Sequence, residues 1–228
     1  MIVTISYSRN LFFALTAILS VALAYQPHPN SPRQRTQDSR RDFVRNVVAL
    51  SVPASVSCLL PKFAHAEINV GGKPVYGDDK VIMGQKSHGT TENAVQENLR
   101  FEVDRAKADK ISSYNRHFAE YGGYFTSRES YLDELRSAKG PITYYDSVSG
   151  KPLFVAPIGR SMSSFLAESE YHGWPSFRDE EVVWDNVRVL KGSGETVSTV
   201  GTHLGHNIPD KKGNRYCINL VSVAGKPI

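Results

Sequence analysis

The rhythm of hydrophobic and polar positions changes three times along the chain. Residues 1–66 hold two apolar runs, Leu11–Ala24 and the milder Asn46–Leu60, with a polar stretch between them. Residues 67–92 are rich in Gly, Lys, Asp and Thr and show no sustained period, which predicts an extended, partly ordered arm. Over 93–117, Val95, Leu99, Val103 and Ala106 recur at steps of three and four with charges between them, the spacing of a helix. A second helix is predicted over 127–138. Thr126 and Glu129 have the spacing of a capping box, and Gly140 with Pro141 ends the segment. Tyr121–Phe125, aromatic and glycine-rich, predicts a packed connection between the two.

From Ile142 the pattern turns to strands. Ile142–Tyr145, Leu153–Val155, Val182–Leu190, Thr196–Val200 and Tyr216–Val223 are rich in β-branched and aromatic residues. Gly192-Ser193-Gly194 and Lys211–Asn214 are turn signals between such runs. The expectation is a mainly β, antiparallel domain over 141–228, preceded by an N-terminal arm and small helical extension over 67–140. No internal repeat is present. No stretch of 67–228 is apolar for the roughly 20 residues that a membrane span needs.

Charge divides the chain differently. It carries 27 Lys/Arg and 23 Asp/Glu, but seven of the basic and only two of the acidic residues lie in 1–66. The high pI therefore belongs to the leader. The rest is near neutral, which sets aside nucleic acid as a partner. Residues 1–24 read as a secretory signal, with Arg9, the Leu11–Ala24 run and a small-x-small site at Ala22-Leu23-Ala24. Residues 25–66 read as a transit peptide followed by a twin-arginine signal. Ser39-Arg40-Arg41-Asp42-Phe43-Val44 precedes the second apolar run, and Ala64-His65-Ala66 closes it. The series resembles the leader of a thylakoid-lumen protein of a plastid enclosed by extra membranes. A chain processed near Glu67 loses Cys58 and keeps Cys217 alone, so no disulfide within it is expected.

A lone cysteine with histidines elsewhere is a candidate nucleophile. Strand alternation puts Arg215, Cys217 and Asn219 on one face and Tyr216, Ile218 and Leu220 on the other. A guanidinium beside the thiol favours the thiolate, and the amide can hold a polar substrate atom. Alternatively the cysteine simply packs. His203 and His206 suit either a metal site, with His172 as a third ligand, or acid–base work near neutral pH; they also suit a surface loop. Trp174, next to Pro175, is either a rigid apolar wall for a methyl group or a core side chain. Trp184 lies in a strand run and is assigned to packing.

Ser149–Phe154, Gly173–Phe177, His203–His206 and Arg215–Asn219, in that order, resemble the methionine-R-sulfoxide reductases, the B type of peptide methionine sulfoxide reductase. The resemblance covers roughly 141–224. It implies a fold of two antiparallel sheets and a Cys217 nucleophile. It makes Trp174 the wall of a methyl pocket. His203, His206 and Asn219 would bind and protonate the sulfoxide oxygen, with Arg215 supporting the thiolate. Many members bind zinc through two cysteine pairs; here Asp146 and Ser149 replace the first pair, and Val197 and Val200 the second, so no metal is expected. The usual resolving cysteine is His172, and Ile208 stands where a phenylalanine is common. The stretch before Trp174 is longer than usual, with Phe165–Tyr171 expected to form a short helix or lid.

The expected activity is thus reduction of methionine-R-sulfoxide in proteins, with no bound cofactor. An external thiol, either a thioredoxin-like protein or a small thiol, would recycle Cys217. Two alternatives stand beside it: an inactive reductase-like lumen protein docked to a thylakoid complex through 67–140, and a metal-binding module built on the histidines.

Overall fold

The computed structural model describes residues 68–228, so the leader over 1–66 lies outside the described residues. Eight strands follow in chain order: β1 (Tyr76–Gly77), β2 (Ile142–Tyr145), β3 (Pro152–Ala156), β4 (Ser176–Phe177), β5 (Val187–Leu190), β6 (Glu195–Ser198), β7 (His203–Asn207) and β8 (Tyr216–Ile218). Six of them form one sheet in the order β1-β5-β6-β7-β8-β4, and β2 and β3 form a separate hairpin. The larger sheet is mixed rather than antiparallel throughout, because β1 runs parallel to β5. That short strand covers an edge of β5 that would otherwise present unpaired amides.

Residues 68–140 are built into the core. Phe101, Phe125, Tyr131 and Leu135 pack in one cluster with Tyr144, Phe154, Phe177 and Ile218. Phe154 and Phe177 stack with centroids 4.2 Å apart, and Tyr144 meets Phe177 edge-on at 5.0 Å. The Tyr131 and Tyr144 hydroxyls share a buried hydrogen bond of 3.1 Å.

The helix expected over 93–117 is much shorter. Only α2 (Arg105–Asp109) is α-helical, after the four-residue α1 (Asp79–Ile82), and it runs on as a single π turn over Lys110–Tyr114. Upstream, backbone amides bond to distant partners instead of to the preceding turn: Gln96 to the Ser147 carbonyl at 2.8 Å and Arg100 to that of Ala224 at 2.7 Å. Phe101 and Glu102 are left-handed, and Asp104 caps α2 by accepting from the Lys107 amide. Val95 is buried as its spacing suggested, but Ala106 is exposed and Ala108 is buried in its stead. The second helix, α3 (Glu129–Ser137), lacks the expected capping box. Thr126 instead donates to the Gly123 carbonyl at 2.6 Å, which closes a separate 3-10 turn.

Two of the longer β-rich runs are only partly strand. Of Val182–Leu190 only β5 is strand, and Tyr216–Val223 leaves the sheet after Ile218 as a 3-10 turn over Leu220–Val223. The segment before Trp174 forms α4 (Met162–His172), capped by Ser161 and closed by Gly173 at φ +84. Among the described residues no helix is long and apolar enough to cross a membrane.

Asp146 shows what stands where the resemblance places metal-binding cysteines. Its buried carboxylate accepts from the Val148 amide at 2.9 Å, the Ser149 hydroxyl at 2.8 Å and the Thr202 hydroxyl at 2.9 Å. This clip joins the turn after β2 to the turn before β7. Burial pushes the carboxyl above its usual range against those donors. Asp146→Ala strands buried donors, so we expect a loss of about 2–4 kcal/mol. That is a fall of about 5–12 °C in Tm for a domain of this size, read by thermal unfolding. An unchanged Tm would mean that the two turns hold together without the clip.

Candidate active site

Cys217 lies in the middle of β8 with a strand on either side. The register sets Ser176 of β4 opposite it on one side and His206 of β7 on the other; Glu195 of β6 is in turn opposite His206. Four polar or reactive side chains therefore form a row across four strands. Tyr216 and Ile218 point the other way and are fully buried, as alternation requires. Gly205 lets β7 and β8 close at this point. A Cβ on it would sit 2.0 Å from the Cys217 carbonyl oxygen.

A cleft of about 150 Å³ opens over the thiol, lined by Ala119, Trp174, Gly205, His206, Ile208, Cys217 and Asn219. That is the room of about five water molecules, enough for the end of one side chain and too little for a nucleotide. Trp174 is fixed at its edge: the indole N–H donates to the Glu120 carbonyl at 3.1 Å. Gly173, after α4, lets the 122–123 loop approach the same wall, since a Cβ there would lie 3.0 Å from Gly122 Cα. The Asn219 oxygen accepts from the Glu120 amide at 2.9 Å, and its Nδ2 donates to the Leu204 carbonyl at 3.1 Å. One N–H of the amide is left for a ligand.

The histidines separate into two roles. His206 lines the cleft, with its pKa pushed down by burial and then by neighbouring His203. His203 is buried behind it. Its Nδ1 donates to Glu195 at 2.7 Å, and the two rings meet at 65° with centroids 5.6 Å apart. Arg116 holds Glu195 from the far side through Nε and Nη2, at 3.0 and 2.6 Å. Burial opposes ionisation of Glu195, but the His203 and Arg116 hydrogen bonds win and hold its carboxyl below the usual range. This carboxylate fixes the ring orientation of His203.

Arg215 is buried and its guanidinium donates to the Cys217 sulfur, but it does not line the cleft. Burial pushes the thiol above its ordinary value, and the Arg215 charge offsets only part of that. The expected help to the thiolate is present but is outweighed. His172 lies on a different, larger cleft of about 500 Å³ along α4, with Tyr171, Glu168 and Asp210. Glu168 there is paired to Arg160 and Arg178, and no cysteine lines that cleft. The three histidines of the metal alternative are thus not brought together. Among the described residues no group of three or more His, Cys, Asp or Glu side chains could hold a metal ion.

Glu120, Glu195 and Arg116 escaped the sequence reading. The signal for Glu120 was an acid isolated in the aromatic and glycine-rich stretch Phe118–Phe125; for Glu195 it was an acid opening a β-branched run. Arg116 carries no such signal. No protein-family model matches the chain.

Proposed function

We propose that the chain is a thiol-dependent methionine-R-sulfoxide reductase of the B type that its motifs resemble, with the mixed sheet and hairpin as that family's fold. The convergence of Cys217, His206, Asn219 and Trp174 on one cleft the size of a side-chain end carries this reading. The Cys217 thiolate attacks the sulfoxide sulfur while the indole packs against the methyl group. The oxygen takes hydrogen bonds from the free Asn219 N–H and from His206, and gains a proton as the sulfur–oxygen bond weakens. Oxygen passes to Cys217 as a sulfenic acid, and methionine leaves. Two external thiol groups then reduce the sulfenic acid, giving a disulfide and water. His203, held by Glu195, acts through His206 rather than on substrate.

The substrates we infer are oxidised methionines of thylakoid-lumen proteins, with a thioredoxin-like protein or a small thiol as reductant. The R preference comes from the resemblance. The test is an assay of the purified protein with separate R and S epimers of a blocked methionine sulfoxide and dithiothreitol, which bypasses the natural reductant. We expect turnover of the R epimer alone. No turnover of either epimer by folded protein would sink the reading. It would favour the inactive lumen protein, for which Tyr114, Phe118 and Tyr121, all exposed on the 68–140 segment, offer a docking face.

A further inference from the structure

Glu120 is an acid among apolar and glycine residues, yet only 3 % of it is exposed. Its carboxylate accepts the amides of Leu220 at 2.9 Å and Val221 at 3.1 Å, the opening residues of the turn that follows Cys217 and Asn219. Its own amide donates to the Asn219 oxygen at 2.9 Å, and its carbonyl accepts the Trp174 indole N–H at 3.1 Å. One residue therefore touches the wall of the cleft, its amide and the turn behind its nucleophile. A buried carboxyl is an expensive way to receive two amides. A glutamine would present one acceptor where two are needed, and its NH2 would face an N–H.

We propose that Glu120 is the positioning residue of the cleft. Its four hydrogen bonds set the Trp174 wall and turn the Asn219 amide so that its N–H, not its oxygen, faces the substrate. The catalytic consequence rests on the reductase reading; the positioning does not.

Titration offers a readout that bulk packing would not. Burial pushes the Glu120 carboxyl up to about 7 against the Leu220 and Val221 amides and the charges of Lys107 on α2 and Arg128 before α3. His206, across the cleft, is pushed below its usual value and should give a separate, lower step. The experiment follows the Trp174 indole N–H by NMR in the purified protein from pH 5 to 9, with Trp174→Phe to assign it. We expect a shift with a midpoint near 7 that is lost in Glu120→Gln while the lower step remains. With the R epimer, Glu120→Gln should lower kcat/KM about tenfold to a hundredfold, through KM more than kcat. A wild-type indole whose shift shows no step beyond the lower one overturns the proposal whether or not the variant folds. So does a folded Glu120→Gln with wild-type kinetics. Failure of the wild type to reduce either epimer would instead count against the reductase reading, and the indole titration would still decide the positioning.

Discussion

Cys217→Ser is expected to lower reduction of the R epimer by at least about ten-thousand-fold while leaving the fold intact. A serine hydroxyl fills nearly the same space but does not ionise near neutral pH, and removing a nucleophile costs losses of this order. The measurement is a single turnover without added reductant, in which the wild type should form one methionine per Cys217. Its pH dependence has a definite sign. Burial holds the thiol above its ordinary value despite Arg215, so the wild-type rate should climb with pH through and beyond the usual thiol range. Stability should move the opposite way. A thiol whose folded value is raised keeps its proton longer in the native state, so its contribution is full below the unfolded value and is lost as pH rises toward the folded one. The serine variant should lack that alkaline loss. A rate already flat at neutral pH would mean that Arg215 dominates burial after all.

Gly205→Ala is expected to cost about 3 kcal/mol or more and most of the activity. The added Cβ would lie 2.0 Å from the Cys217 carbonyl oxygen and 3.0 Å from Ile218 Cα. Both are backbone atoms of the strand that carries the nucleophile, so no side-chain rotation relieves the clash, and β7 and β8 must part. The expected fall in Tm is about 6–12 °C. Because His206 and Cys217 face each other across that pair of strands, the reactive groups separate as well. Thermal unfolding and the single-turnover assay together check this. A variant of normal Tm and rate would show that the strands have slack the structure does not display.

Much of the candidate site was legible because strand alternation is local. A period of two on Arg215–Asn219 separates the buried Tyr216 and Ile218 from Cys217 without any tertiary knowledge. Pro175 beside Trp174 likewise announces a fixed turn. Local pattern misled where backbone amides found distant partners. Residues 93–104 have helical spacing, but the Gln96 and Arg100 amides bond to the Ser147 and Ala224 carbonyls, and a period cannot reveal that. The capping box failed similarly, since Thr126 had a nearer carbonyl to satisfy.

What the sequence determined by itself was the mainly β character of 142–218 and the face that Cys217 shares with Asn219, both consequences of short-range geometry; the company of His206 and Trp174 was only what the family resemblance implied. Tertiary structure alone decided the rest. It sent β1 parallel against β5, buried His203 on Glu195, and brought Glu120 from the earlier segment under Trp174 and Asn219. It also made burial outweigh Arg215 at the thiol. Those outcomes depend on which groups lose water together and which buried polar atoms find partners, and both are properties of the packed chain rather than of any stretch of it.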